Sequence, residues 1–149
     1  MIDPPSEPRG TYLVKRLESA VRQSLDTVLQ AHGLTTPQYA ALSILRRQPG
    51  LSSAQLARRS FVTPQSMQTM VAAFVRAGLV ERKPDPEHQR VLRLFLTEAG
   101  AGVLARGQEA ADQVERRMLA GLPGARVADF TETLEDCIRN LTTGHTAAH

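Results

Sequence analysis

Residues 52–97 constrain the fold most, because two short helical patterns there are followed by two strand patterns joined by a charged loop. The first helix is predicted to begin at Ser52, which forms a capping box with Gln55. The second begins at Thr63-Pro64, where the Thr hydroxyl accepts from a backbone N–H and Pro takes the first position, which needs no donor. The short link between them predicts a helix-turn-helix, although such turns often contain Gly and this one does not.

The second of these helices has two distinct faces. Its apolar residues recur on a 3.6-residue period and predict a buried stripe: Met67, Met70, Val71 and Phe74. The opposite face carries Gln65, Gln68, Thr69, Ala72 and Arg76. Gln side chains pair with adenine edges, and Thr offers a hydroxyl and a methyl, so this face suits a DNA major groove. An ordinary solvated helix surface is the alternative interpretation.

A hairpin is predicted after Gly78, which ends the helix because Gly enters the left-handed region freely. Residues 79–83 form its first strand, residues 84–90 its loop, and residues 91–96 its second strand. Leu92, Leu94 and Leu96 are expected on one face of the second strand. The loop tip is basic, and an Arg there suits a narrow minor groove.

Charge is segregated along the chain. The net charge is only +3, but residues 46–93 hold nine cationic and three acidic side chains, a local net charge of +6. The first 45 residues are neutral and residues 94–149 are acidic. A basic middle segment is typical of a module that binds a polyanion, whereas a mixed solvated surface does not predict this segregation.

Length and composition limit the class of protein. A chain of 149 residues with 42% hydrophobic content is expected to form one domain. It lacks an apolar run of about 18 residues and a signal peptide, which predicts a cytoplasmic protein. Cys137 is the only cysteine and is interpreted as a small buried hydrophobe. No pattern of catalytic, cofactor-binding or metal-binding residues stands out, so we predict no enzyme, no cofactor and no metal.

The flanking segments are predicted to be helical. One amphipathic helix covers residues 11 to about 32, and a second follows Thr35-Thr36-Pro37. A third begins at Thr97-Glu98 and runs to about residue 120, weakened locally by Gly100, Gly102 and Gly107. The last carries a stripe of Val127, Phe130, Leu134, Ile138 and Leu141. The first helix and the last two lack partners within residues 35–97, so we expect them to pack together and against a second copy.

These features together resemble the MarR family of bacterial winged-helix transcriptional regulators over roughly residues 11–141. The resemblance rests on Leu34-Thr35-Thr36-Pro37-Gln38-Tyr39, Gly78-Leu79-Val80-Glu81-Arg82, Asp85-Pro86, Arg90 and Leu94-Phe95-Leu96-Thr97-Glu98-Ala99-Gly100. It implies a mainly α-helical fold with a small β-wing of two or three strands. It also implies a homodimer on a pseudopalindromic double-stranded DNA operator, a repressor released by a small phenolic or anionic effector.

The domain organisation follows from this resemblance. Residues 1–149 are expected to form a single domain, with a winged helix-turn-helix at 35–97 and dimerisation helices at about 11–33 and 98–141. Residues 1–10 and 142–149 are expected to be loose tails. A dimer would place its two reading helices about 34 Å apart, in successive major grooves.

Individual residues receive predicted roles. Base contacts are assigned to Gln65, Ser66, Gln68 and Thr69, backbone contacts to Ser53, Arg76, Arg82, Lys83 and Arg93, and a minor-groove contact to Arg90. The neighbouring loop residues His88 and Gln89 belong to the same surface. His88 stands where the family usually has an Asp that pairs with the wing Arg; a charged His88 would add a phosphate contact, although a loop histidine without a role is favoured. A ligand pocket is assigned to Tyr12, Leu17, Tyr39 and Met70, with ordinary core as the preferred alternative.

Two other functions remain open from the sequence. One is a ligand-binding or partner-binding adaptor that kept the fold without specific DNA recognition. The other is an RNA-binding or chromosome-coating protein, which would show a steep salt dependence without sequence preference. The neutral, Gln-rich face favours sequence choice. Peroxide sensing is not favoured, since no cysteine precedes Cys137.

Overall fold

The computed structural model describes residues 9–143, which contain six helices and one antiparallel pair of strands. In chain order these are α1 (Gly10–Gln30), α2 (Thr36–Arg47), α3 (Ser53–Arg59), α4 (Pro64–Arg76), β1 (Val80–Pro84), β2 (Leu92–Leu96), α5 (Glu98–Met118) and α6 (Gly124–Thr143). The chain divides into two compact units, Met1–Val114 and Glu115–His149. The tails predicted for residues 1–10 and 142–149 lie mostly outside the described part, although Gly10 already belongs to α1 and Thr143 to α6.

Side-chain caps set where the central helices begin. The Ser52 hydroxyl accepts from the Gln55 N–H at 3.2 Å, and the Gln55 side chain accepts from the Ser52 N–H at 3.0 Å, which confirms the predicted capping box. The Thr63 hydroxyl accepts from the Ser66 N–H at 3.1 Å, as expected for a helix that begins Thr-Pro. The start of α4 is therefore fixed by local chemistry alone.

The turn between α3 and α4 keeps its usual geometry without glycine. The Val62 N–H donates to the Ala57 carbonyl at 3.2 Å and the Phe61 N–H to the Arg58 carbonyl at 3.4 Å, the pattern of a Schellman C-cap. Phe61 takes the left-handed position of this motif with φ +55°. Gly78 takes the same position after α4 with φ +74°, as predicted.

The core of the first unit is formed by the five helices α1, α2, α3, α4 and α5 and by both strands of the hairpin. Its fully buried side chains come from all of these elements: Leu29, Leu42, Leu45, Leu56, Met67, Val71, Val80, Leu94 and Leu104. The stripe predicted for α4 is confirmed, because Met67, Val71 and Phe74 are buried and Met70 packs against them. Burial of this stripe holds the opposite face of α4 outward.

The hairpin pairs β1 with β2 in a register that matches Val80 to Leu96 and Pro84 to Leu92. Leu51, between α2 and α3, adds a single bridge to Leu94. Leu92, Leu94 and Leu96 alternate along β2 and so share one face, as predicted, but burial differs along that face: Leu94 is buried and Leu92 is 44% exposed. Leu92 lies opposite Pro84 at the outer end of the hairpin, beyond the core that Leu94 reaches.

Two glycines of α5 are packing points, a role that is additional to the low helix propensity predicted for them. A Cβ on Gly100 would lie 2.0 Å from the Leu79 carbonyl oxygen, and one on Gly107 would lie 3.1 Å from both Leu34 and Tyr39. Gly102 has only the end of Arg106 within reach, at 3.8 Å. Two of the three glycines therefore allow α5 to approach its neighbours.

The second unit contains the end of α5 and all of α6. No residue of α6 is buried, and the predicted apolar stripe ends in the exposed Ile138 and Leu141. Cys137 is also exposed, so its interpretation as a buried hydrophobe is wrong for this chain. Across residues 9–143, no helix is long and apolar enough to cross a membrane.

Candidate nucleic-acid interface

The outward face of α4 presents polar side chains near the start of the helix. Gln65, Ser66, Gln68 and Thr69 are all exposed. Thr69 donates its hydroxyl to the Gln65 carbonyl at 3.2 Å, while the Ser66 and Thr63 hydroxyls share a hydrogen bond of 2.9 Å. Within the described residues, no hydrogen bond occupies the amides of Gln65 and Gln68. Both amides can therefore pair with an external donor and acceptor.

The tip of the hairpin is organised by Asp85, which is only 8% exposed. Its carboxylate accepts from the Glu87 N–H at 2.8 Å, the His88 N–H at 3.1 Å and the Arg93 Nε at 2.6 Å. Its own N–H donates to the Val91 carbonyl at 2.8 Å. The hydrogen bonds from the Glu87 and His88 N–H groups lower the pKa of Asp85 below its ordinary value, and Arg93 lowers it further. Burial of the carboxylate acts in the opposite direction but has the smaller effect.

Sequence reasoning missed this role of Asp85. The sequence pattern indicated a missing acidic partner for Arg90 at position 88 and a phosphate contact for Arg93, whereas in the structure Arg93 donates to Asp85. The signal was present in Asp85-Pro86, since an Asp that begins a turn often accepts from the backbone two residues later. The pairing with Arg93 depends on the hairpin register and has no local signal.

The predicted cationic residues differ in how they are engaged. Lys83 pairs with Glu81 at 3.2 Å and lies 5.2 Å from the ring centre of Phe95. Arg76, Arg82 and Arg90 are exposed and form no ion pair within the described part of the chain. His88 and Gln89 are exposed beside Arg90 at the tip. The wing thus offers Arg90 and Arg82 to an anion more readily than Lys83 or Arg93.

Three of the predicted residues meet between α3, α4 and the hairpin. Ser53, Gln68 and Arg82 line a cavity of about 320 Å³ together with Val71, Leu92 and Leu94. The Ser53 hydroxyl is buried and has no hydrogen-bond partner in the described structure. Ser53 is therefore recessed, behind the surface that Gln68 and Arg82 present.

A second, larger cleft lies between α1, α2 and the first half of α5. It measures about 760 Å³ and is lined by Leu25, Thr36, Tyr39, Ala40, Ser43, Ile44, Arg46, Arg47, Leu104 and Gln108. Of the four residues assigned to a ligand pocket from the sequence, only Tyr39 lines it. Tyr12 is exposed on α1, Leu17 is half-buried there, and Met70 packs against the core.

Relatives of known class share most of this chain. The family model described as MarR family matches residues 32–91. The HTH-type transcriptional repressor Rv2887 of Mycobacterium tuberculosis is 35% identical over 124 residues, which cover 83% of this chain and 89% of the relative. The HTH-type transcriptional repressor IacR of Pseudomonas putida is 26% identical over 132 residues, 89% of this chain and 79% of the relative.

Solved structures give the same result. Rv2887 in complex with DNA is similar with a TM-score of 0.75 and 31% identity, over 88% of this chain and 98% of that chain. Rv2887 in complex with salicylic acid is similar with a TM-score of 0.74 and 32% identity, over 90% and 99% of the two chains. With its winged helix-turn-helix fold and this degree of identity and coverage, the chain belongs to the MarR family.

Proposed function

We propose that this protein is a sequence-specific, double-stranded DNA-binding transcriptional regulator, acting in the cytoplasm as a homodimeric repressor on a pseudopalindromic operator. One observation carries the proposal: α4 presents the unengaged amides of Gln65 and Gln68 on the face opposite its buried stripe. The hairpin on the same lobe presents Arg90. Support comes from Rv2887, a repressor that has been solved with DNA.

The distribution of neutral and cationic groups favours sequence choice over coating. Phosphate contacts position a protein on the duplex, whereas base contacts specify its sequence. The start of α4 carries neutral donors and acceptors, while Arg76 and Arg82 lie at its end and on the hairpin. A coating protein needs only the cations. This chain carries neutral groups suited to bases and cations suited to phosphates, on separate parts of its surface.

A second copy of the chain is the proposed cover for the exposed apolar residues of the outer helices. Ile138 and Leu141 on α6, and Tyr12, Leu13 and Val14 on α1, are all large and exposed. Surfaces of this kind on two terminal helices are typical of an interface between proteins. A single-chain mass in solution by sedimentation would contradict the dimer.

Gln68→Ala is expected to lower sequence discrimination, whereas Arg90→Ala is expected to lower affinity for any duplex. On a duplex that the wild-type protein selects from a randomised pool, Gln68→Ala should lose about 1–3 kcal/mol of discrimination at one base step, because a bidentate base contact disappears. Arg90→Ala should weaken selected and unrelated duplexes alike. It should also make the logarithmic salt dependence shallower by about two units, because the dimer loses one DNA-contacting cation from each subunit.

Fluorescence anisotropy across a salt series measures both effects. The wing assignment is wrong if Arg90→Ala leaves affinity and salt slope unchanged. If the wild-type dimer selects no sequence at all, the adaptor becomes the better description of this protein.

The cleft between α1, α2 and α5 is the proposed effector site, and a small aromatic acid is the proposed effector class. Its apolar lining includes Leu25, Tyr39, Ile44 and Leu104, and two cations, Arg46 and Arg47, lie at its edge. Neither Arg forms an ion pair among the described residues, so a carboxylate could be neutralised there. Rv2887 has been solved with salicylic acid and with p-aminosalicylic acid.

Salicylate is therefore expected to weaken binding of the selected duplex. Arg47→Gln should raise the salicylate concentration needed for half of this effect about tenfold, because a charge-assisted contact is lost. Anisotropy titrations at several salicylate concentrations measure the shift. Arg22→Gln is the matched control, because this exposed Arg on α1 does not line the cleft. An equal salicylate response in all three proteins would place the effector elsewhere.

A further inference from the structure

Phe61 combines two unfavourable features that no packing explains. Its side chain is 97% exposed, and its backbone lies in the left-handed region with φ +55°. In residues 9–143 it is the only residue other than glycine with positive φ. Glycine takes such positions after α1, α4 and α5, at Gly33, Gly78 and Gly121. Strain kept at a large exposed side chain points to a function outside the folded chain.

The turn holds Phe61 outward at the start of the reading helix. Val62 packs against the core, and its N–H reaches back to Ala57, so the chain on either side of Phe61 is fixed. Phe61 lies three positions before Pro64, the first residue of α4. In a helix-turn-helix, the N-terminal residues of the second helix contact base edges, so this turn lies at the edge of the groove.

We propose that Phe61 is a specificity-determining residue that packs on a thymine methyl group at the edge of the sequence read by α4. This inference rests on the proposed DNA-binding function. The thymine methyl projects into the major groove and is the apolar group that a Phe ring can recognise there. The exposed Arg58 and Arg59 immediately before the turn, and the amides of Gln65 and Gln68 after it, make DNA a better match than an apolar protein surface.

Phe61→Gly and Phe61→Asn test the proposal, since Gly and Asn adopt positive φ more readily than Phe. Because both variants relieve the backbone strain, they are expected to unfold at a temperature equal to or above that of the wild type while binding the selected duplex about tenfold more weakly. A purely structural role predicts no such loss. Phe61→Tyr keeps the ring and is expected to bind like the wild type.

Replacement of each thymidine by deoxyuridine in the same duplex, one position at a time, locates the methyl group. The wild type should lose about fourfold in affinity at one position per half-site, the effect of one buried methyl, and Phe61→Gly should be insensitive there. Equal binding by wild type and variants, or identical deoxyuridine profiles, would overturn the role of Phe61 alone. Failure of the wild type to select any duplex would overturn the DNA-binding proposal and this inference with it.

Discussion

Gly100→Ala is expected to destabilise the protein by about 3 kcal/mol, at the upper end of the usual cost of overpacking. A methyl group at this position would lie 2.0 Å from the Leu79 carbonyl oxygen and 2.9 Å from its carbon. Both are backbone atoms, so rotation of a flexible side chain cannot relieve the clash. The first turn of α5 would have to move, and with it the hydrogen bonds that join Thr97 to Gly78 and to Gly100.

Gly102→Ala is the matched control in the same helix. Its added methyl would meet only the flexible end of Arg106, at 3.8 Å, so helix propensity should dominate and stabilise the protein by about 0.5–1 kcal/mol. Urea unfolding at one fixed protein concentration compares the two variants with the wild type. Equal stability of Gly100→Ala and Gly102→Ala would show that α5 does not approach Leu79 as described.

Asp85→Ala is expected to weaken binding of the selected duplex about tenfold, because the wing tip would have to be ordered on binding. The substitution removes the acceptor for the Glu87 and His88 N–H groups and the partner of Arg93. Asp85→Asn keeps one oxygen for the backbone N–H groups and should therefore lose less. Anisotropy titrations on one duplex rank the three proteins.

Arg93→Met separates a positioning role from a phosphate contact. If Arg93 acts by holding Asp85, the substitution should weaken binding while the salt slope stays the same. A slope shallower by about two units, one for each subunit of the dimer, would instead show the phosphate contact that the sequence suggested. Equal binding by the wild type, Asp85→Ala and Arg93→Met would contradict any role of the pair.

Stability should depend on pH through the same carboxylate. The pKa of Asp85 in the folded protein lies below its ordinary value of 3.8, so the unfolded chain takes up the proton first as pH falls. The stabilisation is complete above that ordinary value and is lost as pH falls through the folded pKa. The difference in unfolding free energy between wild type and Asp85→Asn should thus be constant from about pH 7 to about pH 5 and narrow below about pH 4.

The helices and their ends could be predicted because their causes are local. The Ser52–Gln55 capping box, the Thr63-Pro64 start and Gly78 at the end of α4 each depend on residues within one turn of the chain. The roles of Gly100 and Gly107 could not be predicted in the same way. Their contacts with Leu79 and Leu34 arise only after folding, and a sequence pattern shows the lower helix propensity of glycine without the neighbour that requires it.

In the candidate site, too, features with local causes could be predicted, whereas contacts between distant residues could not. Periodicity alone predicted which side of α4 is buried and which carries Gln65 and Gln68. The ion pair between Asp85 and Arg93 required the strand register, and the cleft beside Tyr39 required α5 to pack near α1 and α2, which are distant from it in the sequence. The sequence showed that the turn before α4 contains no glycine. Only the backbone showed that Phe61 adopts the left-handed conformation there.

The short β-bridge between Leu51 and Leu94 joins the wing to the segment that precedes α3. Leu94 donates to the Leu51 carbonyl at 2.9 Å and accepts from the Gly50 N–H at 2.9 Å, so the inner wing strand is joined to the residues that lead into α3. The hairpin also packs against α3 and α4, so the wing and the helix-turn-helix belong to one lobe. If the protein binds DNA through α4 and Arg90 as proposed, this lobe would set the number of base pairs between the major-groove contact and the minor-groove contact of a half-site.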